Sequence, residues 1–382
     1  MIYNRPECWL AKTEAVVPYL TFSSPNSFTL AVGNATKHWD GIVEYSTDTS
    51  VWSAWDGTTT LSSTTSGSDN VLYLRGTGNT KIGYYDEEVE YDYIPWVING
   101  TDVRCNGNIE TLLDYATVKA GQHPTMGEKC FAGLFKGCTA LIVVPDLPAT
   151  TLTDNCYESM FSGCTSLTQA PALPATTLAI SCYDRMFYDC TSLTQAPALP
   201  ATTLAISCYG GMFYDCTSLT QAPALPATTL AGSCYTYMFS DCTSLTQPPA
   251  LLATTLADSC CTYMFSDCTS LTQPPALLAT TLADSCCKRM FSNCTSLTKV
   301  PDLPATTLTD NCYDRMFFGC TSLKLSSTQT GEYMQEYRIP SSGTGVTASG
   351  ALDYMFGSTG GTFTGTPEIN TTYYLSNTNA VV

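Results

Sequence analysis

From Val17 to about Ile82 apolar and polar positions alternate in short runs, and from Cys130 to Cys320 they recur every 26 residues. The first region holds YLTF, SFTLAV, GIVEYST, VWSAW, TTTLSS and NVLYLRG, separated by Pro-Asn, Gly-Asn, Thr-Asp and Gly-Ser-Asp turn signals. Strands at this spacing predict an antiparallel sandwich of immunoglobulin-like size. In the second region Cys130, Cys156, Cys182, Cys208, Cys234, Cys260, Cys286 and Cys312 form one column, and a second cysteine follows each of them eight residues on, from Cys138 to Cys320. These eight copies of C-x7-C contain no insertion or deletion. So strict a period predicts a solenoid, because one unit cannot bury its apolar face alone.

Within a unit, Cys156, Met160, Phe161 and Cys164 fall at i, i+4, i+5 and i+8, which predicts a helix of about two turns. Asn155, Ser181, Ser207, Ser233, Ser259, Ser285 and Asn311 stand where an N-cap would, with Glu158, Asp184 and Asp314 placed as in capping boxes. The position before the second cysteine takes only Gly, Asp or Asn, the residues that tolerate a left-handed C-cap. The segment SLTQAPALPATTL that follows is too rich in Pro and Thr for a helix. With Leu167, Ala170, Leu173 and Leu178 turned inward, it predicts a short strand of three or four paired residues, since Pro171 and Pro174 cannot donate to a ladder. The fold class is therefore a mixed α/β repeat behind a small all-β domain.

The resulting division is a tail or strand over 1–16, a β-sandwich over 17–98, an N-terminal cap over 99–129, repeats over 130–325, and a degenerate repeat and cap over 326–382. GNIETLLDYA, from Gly107 to Ala116, reads as a short helix capped by Asn108. GYYDEEVEYDYIPWVI, residues 83–98, reads as an acidic connector or edge strand. Near the end Tyr354-Met355-Phe356 repeats the unit's signature, with Ala351 and Thr359 at the cysteine positions and an insertion around TQTGEYMQEYRIP.

A formal charge of −17 argues against nucleic-acid partners, which need clustered Lys and Arg. No apolar run approaches the roughly 20 residues that span a bilayer, and the N-terminus has no basic stretch followed by an apolar one. Twenty cysteines suggest disulfides by number. Eight residues of helix would hold the two cysteines of a unit about 12 Å apart, too far to bridge, so the expectation is a ladder of buried thiols. C-x7-C lacks zinc-ligand spacing, and the histidines are His38 and His123 alone, without a nucleophile motif. No catalytic constellation, cofactor or metal site is expected. Trp39, Trp52 and Trp55 suit a sugar platform if they share an exposed face and a domain core if they do not.

The recurring MFxxCTSLTxxPxLPxTxL resembles the BspA-like leucine-rich repeat over about residues 126–325, with Met-Phe for Ala-Phe, Cys in place of Ile before the helix, and proline inside the strand. The ends of the chain are similar to parts of proteins from gut bacteria and their phages or prophages. The resemblance implies a leucine-rich-repeat solenoid and a non-enzymatic surface or adhesion protein whose partner is a bacterial surface glycan or protein. A virion-associated receptor-binding protein is the alternative and a cytoplasmic scaffold the third reading. Two faces are candidates for binding. One is the uniform ladder Gln169, Gln195, Gln221, Gln247 and Gln273; the other is the varied face with Tyr237, Tyr263 and Arg289.

Overall fold

The computed structural model describes residues 17–33, 39–86 and 92–382. The expected 1–16 tail, His38 and the centre of the acidic segment lie outside them. The N-terminal strands are β1 (Leu20–Ser24), β2 (Thr29–Val32), β3 (Ile42–Ser46), β4 (Ser53–Trp55), β5 (Leu61–Ser62), β6 (Thr64–Ser66), β7 (Asp69–Thr77), β8 (Tyr84–Asp86), β9 (Asp92–Ile94), β10 (Trp96–Asn99) and β11 (Val103–Asn106). Helix α1 (Thr111–Lys119) follows, then β12 (Leu141–Val143), β13 (Lys299–Val300), β14 (Leu325–Ser326), β15 (Tyr333–Arg338), β16 (Thr372–Ser376) and β17 (Ala380–Val381).

One sheet runs β12-β11-β1-β7-β3-β4 with β6 on β7, and a second runs β10-β2-β5. Alternation along β1 buries Leu20, Phe22 and Ser24 on one side, as period-two patterning requires. The two sheets share a core in which Trp55 meets Trp96 edge to face at 5.6 Å. Trp39 packs on Trp55, whereas Trp52 lies under the Arg75 guanidinium, so the three tryptophans do not share one face. Helix α1 presses on β7 so closely that a Cβ at Gly76 would collide with the Leu112 carbonyl. Buried Asn79 ties the two by donating to the Ile42 and Leu112 carbonyls and accepting from the Gly41 N–H. The Asn108 side chain accepts from the Glu110 N–H at the start of this helix, and Leu112 and Leu113 are buried. The helix breaks at Asp114, whose carboxylate accepts from the Thr117 N–H and so starts its second half.

The first repeat unit is built directly onto this domain. Strand β12 extends the first sheet by pairing parallel with β11, the N–H groups of Ile82 and Gly83 reach the Cys130 carbonyl, and the Trp96 N–H reaches that of Leu134. Phe135, from the same unit, packs on Phe22 and Trp96.

The helix expected in every unit is absent; among the described residues α1 is the one α-helix. The segment from Thr153 to Cys164 is instead a run of overlapping turns. N–H groups of Cys156, Glu158, Met160, Ser162 and Cys164 donate three residues back, to Thr153, Asn155, Tyr157, Ser159 and Phe161. The intervening N–H groups of Asn155, Tyr157, Ser159, Phe161 and Gly163 donate to carbonyls of the next unit, at Ile180, Cys182, Asp184, Met186 and Tyr188. Asn155, Ser159 and Gly163 have φ of 55°, 53° and 72°, which makes alternate turns type II. The inward residues are Cys156-Tyr157, Met160-Phe161 and Cys164, buried to 0% exposure, so the period is four rather than the 3.6 of a helix. Both periods fit i, i+4, i+5 and i+8. The left-handed position every fourth residue and the transfer of alternate hydrogen bonds to the neighbouring unit decide for turns. The residues read as N-caps are left-handed turn positions, and Gly163 and its equivalents are left-handed without a helix to end.

Inside the stack, Phe135, Phe161, Phe187, Phe213, Phe239, Phe265, Phe291, Phe317 and Phe356 form one ring column with centroids 5.6 to 5.8 Å apart. All nineteen described cysteines are free and buried. From Cys164 to Cys320, the second-column thiols donate to the phenylalanine carbonyl of the preceding unit at 3.0 to 3.2 Å. The expected strand is also shorter than its pattern suggests. The return limb pairs through isolated bridges, such as Gln169 with Gln195 and Thr203 with Thr229, because prolines interrupt its donors.

At the far end the stack receives a ninth, degenerate turn run. Tyr313, Arg315, Phe317 and Gly319 donate to Ala351, Asp353, Met355 and Gly357. The insertion becomes β15, which joins β14 and β16 in a three-stranded sheet, and β17 returns to pair with β13.

Candidate functional site

Two outward columns of the turn limb carry the varied residues. The first contains Gly133, Ser159, Arg185, Gly211, Tyr237, Tyr263, Arg289, Arg315 and Tyr354, every one with positive φ between 49° and 61°. The left-handed conformation costs an L-residue about 1 to 2 kcal/mol and suits glycine best. Gly133 meets that preference where Tyr93 of β9 lies against it. Tyr237, Tyr263 and three arginines occupy the same conformation with large side chains.

The second column holds Tyr188 and Tyr214, with serines at 162, 240, 266 and 292. Tyr188 stacks on Tyr214 at 4.8 Å, Tyr214 meets Tyr237 at 6.2 Å, Tyr237 stacks on Tyr263 at 4.6 Å, and Arg289 lies over Tyr263 at 5.4 Å. The three predicted residues of the varied face are thus brought together, in a ridge that begins at Tyr188 and crosses from one column to the other. Beside it runs a row of carboxylates, Asp189, Asp215, Asp241 and Asp267, at left-handed turn positions. Burial, with Asp189 and Asp241 on either side, pushes the Asp215 carboxyl up. Burial and a hydrogen bond to Asp241 raise the Tyr214 phenol to about 12.

Next to the tyrosines lies a groove of about 870 Å³ that extends from Lys136 in the first unit to Tyr237 in the fifth. Tyr93 of β9 contributes to its wall, so the N-terminal domain helps to form it. Gly210 and Gly211 leave its middle without side chains, and Ser181, Ser207 and Ser233 repeat one hydroxyl per unit along it. Asp184 leans over Gly210, where any Cβ would collide with its carboxylate. Burial pushes the Asp184 carboxyl up to about 7, opposed by Arg185 at 3.7 Å and reinforced by Glu158. Farther along the stack Asp314 is held by Lys288 at 3.1 Å and Arg315 at 3.0 Å, which closes the equivalent position.

The glutamines lie on the return limb. Gln169, Gln195 and Gln221 are exposed and in register through backbone bridges. Gln273 donates to Gln247 at 2.6 Å and accepts from Lys299 at 2.9 Å, so this end of the ladder uses its hydrogen-bonding groups on itself. Tyr188 and Tyr214 were not singled out from sequence, and Asp184, placed there as in a capping box, lines the groove instead, as do Gly210 and Gly211 of the varied face. The signal was available in the period of four, which places Tyr188 and Arg185 on one surface.

His123 contacts the buried Glu110 carboxylate at 2.8 Å. Among the described residues no group of three His, Cys, Asp or Glu is placed to hold a metal ion, and no helix is long and apolar enough to cross a membrane. Burial raises the Cys138 and Cys190 thiols to about 12, so they carry no thiolate nucleophile at neutral pH. A model of the BspA-type leucine-rich repeat region matches residues 124–272 and 234–338 in six copies, over half of the chain. No curated relative and no solved structure matches the chain.

Proposed function

The chain belongs to the BspA-type leucine-rich repeat family, and from that premise we propose that it is a recognition and adhesion protein whose turn face engages a component of a bacterial surface. In this reading the repeats form a solenoid, the two N-terminal sheets form a sandwich that closes it, and the protein acts by binding rather than catalysis. Its place is a cell surface or a virion.

The observation that carries the reading is the set of bulky residues held left-handed on the turn face. Gly211 shows that glycine is accepted in that column, so Arg185, Tyr237, Tyr263 and Arg289 retain strain that glycine would relieve. Strain of this kind gathers where side chains are needed for contact. Tyrosine and arginine are also the residues that most often anchor interfaces.

Binding of the labelled full-length protein to intact gut bacterial cells tests the proposal. Replacing both Tyr237 and Tyr263 by Ser, the residue native at position 159, is expected to weaken saturable binding by about tenfold or more. The Gln247→Ala, Gln273→Ala pair is expected to leave it unchanged. Loss confined to the glutamine pair would move the site to the return limb, and absence of saturable binding would overturn the reading.

A further inference from the structure

Resting on the turn face as the recognition surface, we infer that the groove between Lys136 and Tyr237 binds an extended, neutral oligosaccharide lying along the stack.

Four features of the groove converge on that ligand. Tyrosines 93, 188, 214 and 237 line it, and tyrosine rings offer apolar surface for sugar C–H faces beside a polar tip for sugar hydroxyls. Tyr188 is stacked by Tyr214 on one side, while the column position on the other side is Ser162, which has no ring to cover it. Planar polar groups at Glu158, Asp184 and Arg185, with the row of serine hydroxyls, match the paired donors and acceptors of adjacent sugar hydroxyls. On the groove face the units repeat at about the spacing of Tyr188 and Tyr214, 4.8 Å, as neighbours joined by backbone hydrogen bonds do. This is close to the advance of one hexopyranose in an extended chain, so each unit meets one sugar in a similar setting.

Charge selects among glycans. Asp189, Asp215 and Asp241 flank the ridge and would repel phosphate or uronate groups, and the protein as a whole carries −17. Within the groove the acids Glu158 and Asp184 face the bases Lys136 and Arg185, which leaves no large excess of either sign for a charged polymer even with Asp184 partly protonated.

Length follows from the walls. Tyr93 stands at the end formed by the N-terminal domain, and beyond Tyr237 the stacked Tyr263 and the Lys288–Asp314–Arg315 cluster occupy the face. A short oligosaccharide therefore fills the groove, and further sugars add little.

The test measures binding of the full chain to cello-, xylo- and manno-oligosaccharides of increasing length, by calorimetry. Affinity for at least one series is expected to rise with each added residue and then level off. Two variants probe the site without disturbing the fold. Gly211→Arg fills the groove with a residue that Arg185 and Arg289 already hold at φ of 51° and 52° in the same column. Tyr188→Ser installs the residue native at position 162. Each is expected to lower affinity by about tenfold or more, Tyr188→Ser with an unchanged unfolding midpoint and Gly211→Arg with a small drop, since φ of 52° at this position favours glycine. On intact cells, binding is expected to fall after periodate treatment and to survive protease treatment. Cell binding that survives periodate but not protease would overturn the inference while leaving the turn face as the recognition surface. So would oligosaccharide affinity indifferent to both variants, or cell binding with no affinity for any of the three series. Loss of cell binding on Tyr263→Ser or Arg289→Ser, which lie beyond the groove lining, is the separate check on the recognition surface itself.

Discussion

In the turn limb of the fourth unit every N–H from Ser207 to Cys216 has a carbonyl partner, alternately within the unit and in the next one. In the return limb that follows, Leu219, Thr228 and Thr229 donate, Pro223 and Pro226 have no N–H to give, and isolated bridges join Gln221 to Gln195 and Thr229 to Thr203. The turn limb is therefore held by its backbone, and its outward side chains vary widely: Asp184-Arg185, Gly210-Gly211, Thr236-Tyr237. Side-chain burial holds the return limb, through Leu219, Leu225 and Ala227, and its sequence scarcely changes from unit to unit. A surface whose geometry is independent of its own side chains can change them freely, which suits it to recognition.

The sharpest way to break this comparison is to open the core beneath each limb. Phe213→Ala removes one ring from the column behind the turns and is expected to cost about 3 to 5 kcal/mol in denaturant unfolding. Leu225→Ala is expected to cost about 2 to 5 kcal/mol. If the leucine proved the more costly, the turn limb would not be the dominant support.

The next effect concerns Asp184. Its folded pKa, about 7, lies above the ordinary 3.8 because burial disfavours the charge. Between those values the folded state keeps a proton that the unfolded state has lost, so stability falls as pH rises from about 4 to about 7 and then levels. Asp184→Asn is expected to flatten most of this decline, as seen in unfolding midpoints measured across that window, the raised Asp215 carboxyl keeping a smaller part of it. Equal slopes in parent and variant would show that the carboxyl is not desolvated.

Smaller again is the contrast between the two thiol columns. Cys208→Ser places a hydroxyl in an apolar column and is expected to destabilise by about 1 to 3 kcal/mol. Cys216 already donates to the Phe187 carbonyl at 3.1 Å, so Cys216→Ser should cost less. The smallest effect tests the turn geometry alone. Ser285 has φ of 54°, and Ser285→Gly is expected to raise stability by up to about 1 kcal/mol. Destabilisation there would argue against a left-handed position.

Much was legible in the chain alone. The 26-residue register, the inward Cys, Met, Phe and Leu positions, the terminal degenerate unit and the family follow from a spacing that admits no slip. The restriction of position 163 and its equivalents to Gly, Asp and Asn pointed correctly to left-handed backbone. Local pattern could not separate a helix from a turn run, because i, i+4, i+5 and i+8 satisfy both periods. That choice depends on partners 25 residues away in the next unit, which take half of the N–H groups a helix would use internally. The groove has the same origin: Tyr93, Lys136, Asp184, Gly210 and Tyr237 are far apart in the chain and meet because the units stack and the N-terminal domain closes their end. Period and burial are one-dimensional properties that a sequence carries openly, whereas hydrogen bonds between units and the surfaces they align exist once the stack has formed.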